Sequence, residues 1–314
     1  MNDIIIQNSV NTPTATAIPL TVDILARWRA FIDASPRTVE TYTHNVRRFF
    51  EWAADNGIQQ PQRADIIRYK EDLLTSHKPA TTTAYIAALR IFFEWTSTEG
   101  VYPNIAAHIK GAKIGREFKK DYLTQSQARE LLADVDTDNL TGKRDLAMLL
   151  LMITTGLRTI EIERANIEDM KLTAGFTALY IQGKGKDGKS DYVKIPAEVE
   201  KAIRQYLKAR GKQGANAPLF ASTAHRNEGE RLTTRSIRRI VKDHLRGAGF
   251  DSDRLTAHSL RHTAATLNLL AGGTLEETKQ LLRHADISTT MIYSHALDRA
   301  NNESENRIAA ALLG

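Results

Sequence analysis

The side chains best suited to chemistry lie in the second half of the chain, and most of them are basic. Arg158 follows a glycine in TTGLRT, His258 and Arg261 stand three residues apart in HSLRH, and His284 and Tyr293 stand nine apart in RHADISTTMIYSH. Residues at i and i+3 share one face of a helix, and a helix start presents free N–H groups to an anion. The HSLRH stretch therefore indicates a phosphate site.

Each of these residues also has a purely structural interpretation. Arg158 is suitably placed for an ion pair with Glu161 or Glu163. A histidine at a helix start is often a local cap, and a tyrosine is often a partly buried packing residue. Taken singly, none of these positions decides between the two interpretations.

A second basic group occupies GKGKDGK, between the strand-like runs TALYIQ and DYVKIP. This pattern predicts a hairpin whose loop is too long for a two-residue turn and carries Lys184, Lys186 and Lys189. Its glycines do not have the spacing of a nucleotide-binding phosphate loop. These lysines either reach into a groove of a partner or are simply solvated on an exposed hairpin tip.

Two further stretches carry candidate contacts to an acidic polymer. The run LTTRSIRRIVKDHLRGAG predicts a helix over 234–246 whose apolar stripe opposes a face that suits a DNA groove. The basic segment 111–121 either follows a phosphate backbone or is a solvated linker. The candidate DNA contacts are Arg235, Arg238, Arg239 and Lys242 on the helix, and Lys113, Lys119 and Lys120 in the linker.

Composition supports an acidic partner and excludes some chemistries. The chain has 314 residues, a net charge of +6 and no cysteine, so disulfides, thiolate nucleophiles and cysteine-based zinc sites are excluded. The basic balance favours nucleic acid as the partner. We expect no membrane span and no secretory signal, which makes the cytoplasm the default location.

The elements that must position these residues fall into two predicted domains. The sequence predicts a flexible arm over 1–20 and a domain built only from helices over 21–110. The basic linker covers 111–121, and a domain of helices with a small β-hairpin or sheet covers 122–314. Predicted helices run over 35–57 and 79–99, and capping boxes are expected at Thr124 with Gln127 and at Thr274 with Glu277. The run RDLAMLLLMITT predicts a helix that is buried on all sides. The fold class is therefore mainly α, with an α+β second domain.

The order and spacing of these motifs resemble the tyrosine recombinase family, the phage-integrase and Xer type of site-specific recombinase. The likeness covers 122–314 well and 21–110 more loosely, as a helical core-binding, SAM-like domain. Glu161 matches a supporting acid, and Arg283 is a departure, since the family usually has glycine there. The resemblance implies six catalytic residues: Arg158, Lys184 (with Lys186 as the fallback), His258, Arg261, His284 and Tyr293.

The family chemistry implied for these residues uses side chains where other nucleases use metals. A phenol with a pKa of about 10 is a poor nucleophile, so Tyr293 requires the two arginines and His284 to stabilise charge on the phosphate. His258 is expected as general base and Lys184 as general acid. The product would be a 3′-phosphotyrosyl link, and we expect no metal and no cofactor.

The resemblance further implies a two-domain clamp on double-stranded DNA with inverted-repeat core sites. Self-association to a synaptic tetramer and strand exchange through a Holliday junction would serve integration, excision or dimer resolution. A type IB topoisomerase-like enzyme and a non-catalytic DNA-binding protein are the alternatives. Covalent trapping and a two-site recombination assay distinguish the three.

Overall fold

The computed structural model describes residues 22–113, 121–183, 187–293 and 304–313, and it is mainly helical with one small antiparallel sheet. This confirms the predicted fold class. The chain divides into two compact units, Met1–Arg116 and Glu117–Gly314. Among the described residues no helix is long and apolar enough to cross a membrane. The bounds that the sequence predicts for the individual domains stay a prediction.

The first unit is built from helices around an aromatic core. Ser35 begins the second helix as predicted, because its side chain accepts from the backbone N–H of Thr38 at 3.3 Å and Pro36 occupies the first turn. Phe49, Phe92 and Phe93 are fully buried at the centre of the unit. The helices are α1 (Val22–Phe31), α2 (Pro36–Asp55), α3 (Arg63–Ser76) and α4 (Pro79–Thr98).

The second unit surrounds one almost wholly buried helix, which the apolar run RDLAMLLLMITT predicts. Met148, Leu149, Leu151 and Met152 on α6 are fully buried, and α6 packs against α8 and α10. Both predicted capping boxes are present, at the starts of α5 and α11. The helices are α5 (Gln125–Ala133), α6 (Leu140–Thr155), α7 (Thr159–Arg164), α8 (Ala197–Arg210), α9 (Thr234–Gly247), α10 (Ala257–Leu270), α11 (Leu275–Leu282), α12 (288–293, as far as it is described) and α13 (Ser304–Leu313).

The sheet has one strand more than the sequence predicts. The expected hairpin is formed by β2 (Phe176–Ile181) and β3 (Asp191–Lys194), and β1 (Met170–Thr173) pairs antiparallel with the other edge of β2. Ala174 and Gly175 join β1 to β2 with φ values of 48° and 82°, which suits a tight two-residue turn. The strand was missed because it has only four residues and its turn lacks the usual Asn-Gly or Asp-Gly signal.

Gly156 determines how the chain leaves α6 and reaches Arg158. It takes a left-handed conformation with φ of 62° at the end of α6, and its N–H donates to the Met152 carbonyl. A Cβ atom at this position would lie 2.7 Å from Cδ2 of Leu282. Both the backbone angle and the close approach of α11 therefore require glycine.

Replacing Gly156 by alanine is expected to lower the free energy of unfolding by about 2–4 kcal/mol, as the sum of left-handed strain and overpacking. The matched control is Gly249→Ala, at a left-handed glycine of φ 82° beyond α9 with no described atom within 4 Å, which should cost only about 1–2 kcal/mol. Urea unfolding followed by circular dichroism measures both. Equal losses for the two variants would contradict the proposed contact with Leu282.

Candidate active site

Five residues that the sequence selects line a single pocket of about 620 Å³. They come from elements far apart in the chain: the turn after α6, the start of α10, the segment after α11, and α12. These five are Arg158, His258, Arg261, His284 and Tyr293. The sixth, Lys184, and its fallback Lys186 lie outside the described residues.

Arg261 is the most deeply buried cation of the pocket, with 2% of its surface exposed. Its guanidinium donates to the carbonyls of Gly156 and Leu282, so that it joins the ends of α6 and α11 to α10. Burial, followed by the positive charges of Arg158 and Arg283, lowers the pKa of Arg261 to about 9. The group remains charged at pH 7, and its position is fixed by main-chain atoms.

Arg158 forms the ion pair that its structural interpretation predicts and also faces the pocket. Its Nη1 lies 3.1 Å from Oε1 of Glu161, and its backbone N–H donates to Oε2 at 2.7 Å. Glu161 is only 1% exposed, whereas the Arg158 side chain keeps 31% of its surface exposed. The carboxylate therefore holds Arg158 from behind and leaves part of the guanidinium available to a ligand.

Arg283 supplies a third arginine, which the sequence analysis noted only as a departure from glycine. Its backbone is left-handed, with φ of 54° and ψ of 46°. Its Nη2 donates to Oε2 of Glu161 at 3.0 Å and its Nη1 to the Leu281 carbonyl at 2.8 Å, while its buried Nε has no partner among the described residues. The backbone shape that favours glycine is thus retained, and a buried positive charge is added beside Glu161.

His284 lies between these cations and Thr290. Its Nδ1 is 2.9 Å from the Thr290 hydroxyl. Burial first, and then the positive charges of Arg261 and Arg158, lower the pKa of His284 to about 4. The ring is therefore neutral at pH 7 and can donate one hydrogen bond without adding charge.

Tyr293 is buried, and its hydroxyl contacts a histidine that the sequence analysis did not select. The Tyr293 oxygen lies 2.6 Å from Nδ1 of His262. Burial raises the pKa of Tyr293 to about 12, although Arg261 and Arg158 act to lower it. His262 follows Arg261 directly in HSLRH, and the signal that could have found it is its spacing of four residues from His258, which places both rings on one face of α10.

The two residues that flank the hairpin tip are anchored in the second unit. The Gly183 carbonyl accepts from Nη1 of Arg164 at 3.1 Å, and Gly183 lines the pocket. Nζ of Lys189 donates to the nearly buried Asp169. Lys189 is thus paired with the residue that directly precedes β1, whereas Lys184 directly follows a pocket residue in the sequence.

The candidate DNA contacts differ in how free their side chains are. Arg235, Arg238 and Arg239 are exposed on α9, which packs against α7 and α10. Lys242 is half-buried, and its Nζ donates to the Ser252 carbonyl at 2.7 Å. Lys113 is exposed in the first unit, and Lys119 and Lys120 lie outside the described residues.

The arrangement combines a phenol, neutral and charged hydrogen-bond donors, and a space large enough for a phosphate. Arginine forks bind phosphate oxygens in two-point contacts, and the phenol is a potential nucleophile. In the part of the chain that the structure describes, no group of three or more histidine, aspartate or glutamate side chains could hold a metal ion. A phenol beside these arginines could attack a phosphate with the assistance of fixed positive charge.

Two family models match the chain. Residues 121–300 match the phage integrase family, and residues 32–100 match the phage integrase N-terminal SAM-like domain. The chain is 37% identical over 180 residues to tyrosine recombinase XerC of Pelobacter propionicus, which covers 57% of this chain and 56% of that relative. It spans about half to under two thirds of the length of such curated relatives.

Solved structures share the fold at low sequence identity. The XerH site-specific recombinase bound to palindromic difH substrate, a post-cleavage complex, is 20% identical with a TM-score of 0.68, covering 90% of this chain and 83% of that one. A lambda integrase dimer bound to a COC′ core site is 17% identical with the same TM-score, covering 87% and 97%.

Glu161→Gln is expected to lower the free energy of unfolding by about 3 kcal/mol, because it removes the buried charge that Arg158 and Arg283 share. The control is Glu200→Gln, which breaks the partly exposed pair with Arg204 on α8 and should cost about 0.5 kcal/mol or less. Urea unfolding of both variants gives the comparison. Glu161→Gln with the stability of Glu200→Gln would show that the arginines do not depend on this carboxylate.

Proposed function

We propose, from the premise that this chain belongs to the phage integrase family, that it is a site-specific DNA recombinase. It cleaves a DNA strand by attack of Tyr293 on a phosphodiester and rejoins the strand to a new partner. The chain spans only part of its curated relatives, so the activity, the substrate and the assembly are proposals for this protein.

One observation carries the proposal: the phenol of Tyr293 lies in the same pocket as Arg158 and Arg261. Both arginines are near enough for their charges to lower the pKa of the phenol. Two of the pocket arginines, Arg158 and Arg283, pair with the buried carboxylate of Glu161. A phosphate bound between the arginines and the phenol would be stabilised by the arginines and attacked by the phenol.

The proposed cleavage divides the work among the pocket residues. Arg158 and Arg261 hold the nonbridging oxygens as negative charge develops there, and neutral His284 donates one more hydrogen bond. Lys184, next to the pocket residue Gly183, protonates the leaving 5′-oxygen. The product is a 3′-phosphotyrosyl bond, which preserves the energy needed for rejoining when a 5′-hydroxyl attacks it.

The proposed substrate is double-stranded DNA with inverted-repeat core sites, bound by several copies of the chain. Support comes from the named structures: XerH is bound to a palindromic substrate, and lambda integrase forms a dimer on a core site. Exchange between two duplexes requires four active copies and a Holliday junction. The DNA substrate also makes the cytoplasm the proposed location.

Tyr293→Phe is expected to abolish the covalent adduct with a nicked duplex that carries a core site, while binding of that duplex remains within about twofold, because only the nucleophilic oxygen is removed. Tyr192→Phe, at an exposed tyrosine on β3, is the control and should form the adduct at the wild-type rate. Denaturing gel electrophoresis of protein with labelled DNA measures the adduct.

The same assay distinguishes the alternatives. Binding without any adduct from the wild-type chain would indicate a non-catalytic DNA-binding protein. An adduct together with supercoil relaxation, but without recombination between two sites, would indicate a topoisomerase-like enzyme. An adduct that persists in Tyr293→Phe would place the nucleophile elsewhere.

The exposed face of α9 should set the salt dependence of DNA binding. Replacing Arg238 or Arg239 by glutamine is expected to weaken binding uniformly across sequences and to reduce the slope of log K against log salt by about 0.9 for each DNA phosphate that is no longer neutralised. Arg204→Gln on α8, where the arginine pairs with Glu200, is the control and should leave the slope unchanged. An unchanged slope for both α9 variants would remove this face from the DNA interface.

A further inference from the structure

His262 is in direct contact with Tyr293, the proposed nucleophile. Its Nδ1 lies 2.6 Å from the Tyr293 oxygen, and the two rings are 5.3 Å apart between centroids. Both side chains are buried, at 6% and 2% exposure. The hydroxyl of Tyr293 is therefore held directly by a titratable ring.

A general base must lie within hydrogen-bond reach of the proton that it removes, about 2.6–3.2 Å between heavy atoms. His262 meets this requirement in the structure. The requirement is severe here, because burial raises the pKa of the Tyr293 phenol to about 12. At neutral pH the phenol attacks at a useful rate only if its proton has an acceptor at hand.

We propose that His262 is the general base of strand cleavage, an inference that rests on the proposed function and deepens it. The O–H bond of Tyr293 breaks toward Nδ1 of His262, which becomes an imidazolium, while the tyrosine oxygen forms a bond to phosphorus. The bond between phosphorus and the 5′-oxygen breaks, and the leaving oxygen takes a proton from the general acid. In rejoining, His262 returns its proton to the phenol.

The charges around the pocket disfavour proton transfer from Tyr293 to His262 until a DNA phosphate is bound. Arg158, Arg261 and Arg283 all line the pocket, so a positive His262 would add to a group of cations. Three carboxylates also line the pocket, Glu161, Asp191 and Asp286, and of these only Glu161 is buried. A phosphate that gains negative charge during attack favours the imidazolium. Without that phosphate, the proton stays on the phenol.

This assignment leaves a different task for His258, which the sequence predicts as the base. The His258 ring stands edge-on to the His262 ring, with centroids 4.6 Å apart. His258 is exposed whereas His262 is buried, and it lies near enough to lower the pKa of His284, together with the arginines. On this geometry His258 serves as a donor to the phosphate and His262 as the acceptor from the phenol.

The test compares His262→Asn, His258→Asn and the exposed control His225→Asn in single-turnover cleavage of the nicked duplex from pH 5 to 9. In the wild type, the rate should fall at low pH as the base becomes protonated. His262→Asn keeps a hydrogen-bond acceptor but no base, so its rate should drop by about 100-fold or more and lose this inflection. His258→Asn should be slower but keep the inflection, and His225→Asn should match the wild type.

Chemical rescue separates proton transfer from simple positioning. In His262→Ala the vacated space opens on the pocket, and added imidazole should restore adduct formation, with a rate that increases with the basicity of substituted imidazoles. Urea unfolding and DNA binding of both His262 variants confirm that they are folded. The inference would be overturned by a rescued rate that does not depend on the basicity of the imidazole. It would also be overturned by no rescue in a variant that is folded and binds DNA.

The two proposals fail in different ways. If the wild-type chain forms no adduct, the proposed function is wrong and the role of His262 falls with it. If the wild type forms the adduct and His262→Asn retains its rate within threefold and its pH inflection, only the assignment of the base is wrong.

Discussion

The structure of the pocket depends on holding three guanidinium groups close together with a single buried carboxylate. Glu161 accepts from Arg158 on one oxygen and from Arg283 on the other, while Arg261 donates to two main-chain carbonyls instead. Buried charges are tolerated only when they are paired and hydrogen-bonded. Glu161 is the only buried carboxylate among the described residues that line the pocket, and the arginines grouped around it make the pocket suitable for a phosphate.

The same environment sets the protonation states of His284 and Tyr293. Positive charge and burial keep His284 neutral, and burial keeps the phenol of Tyr293 protonated on His262. A nucleophile that is held protonated is inert toward solvent. An incoming phosphate would change the electrostatics of the whole pocket, because its negative charge would be stabilised by the arginines and would favour a protonated histidine.

Much of the fold follows from local sequence signals. Ser35-Pro36 begins α2, Gly156 ends α6, and Thr124 with Gln127 forms the capping box of α5, because each signal satisfies backbone groups within one turn of itself. The strand β1 was missed because its four residues depend on pairing with β2. The five described catalytic candidates do share one pocket, while their chemical roles stay predictions.

The sequence by itself determined the family, the fold class and the types of residue in the pocket, since order, spacing and period are local properties of a chain. Only the tertiary structure decided which partner each side chain meets. His262 and Tyr293 are 31 residues apart, and Arg283 and Glu161 are 122 apart. No local pattern encodes contacts at such separations, because they exist only once α6, α7, α10 and α11 have packed. The packing left the Arg283 side chain only 10% exposed and placed the phenol oxygen 2.6 Å from Nδ1 of His262.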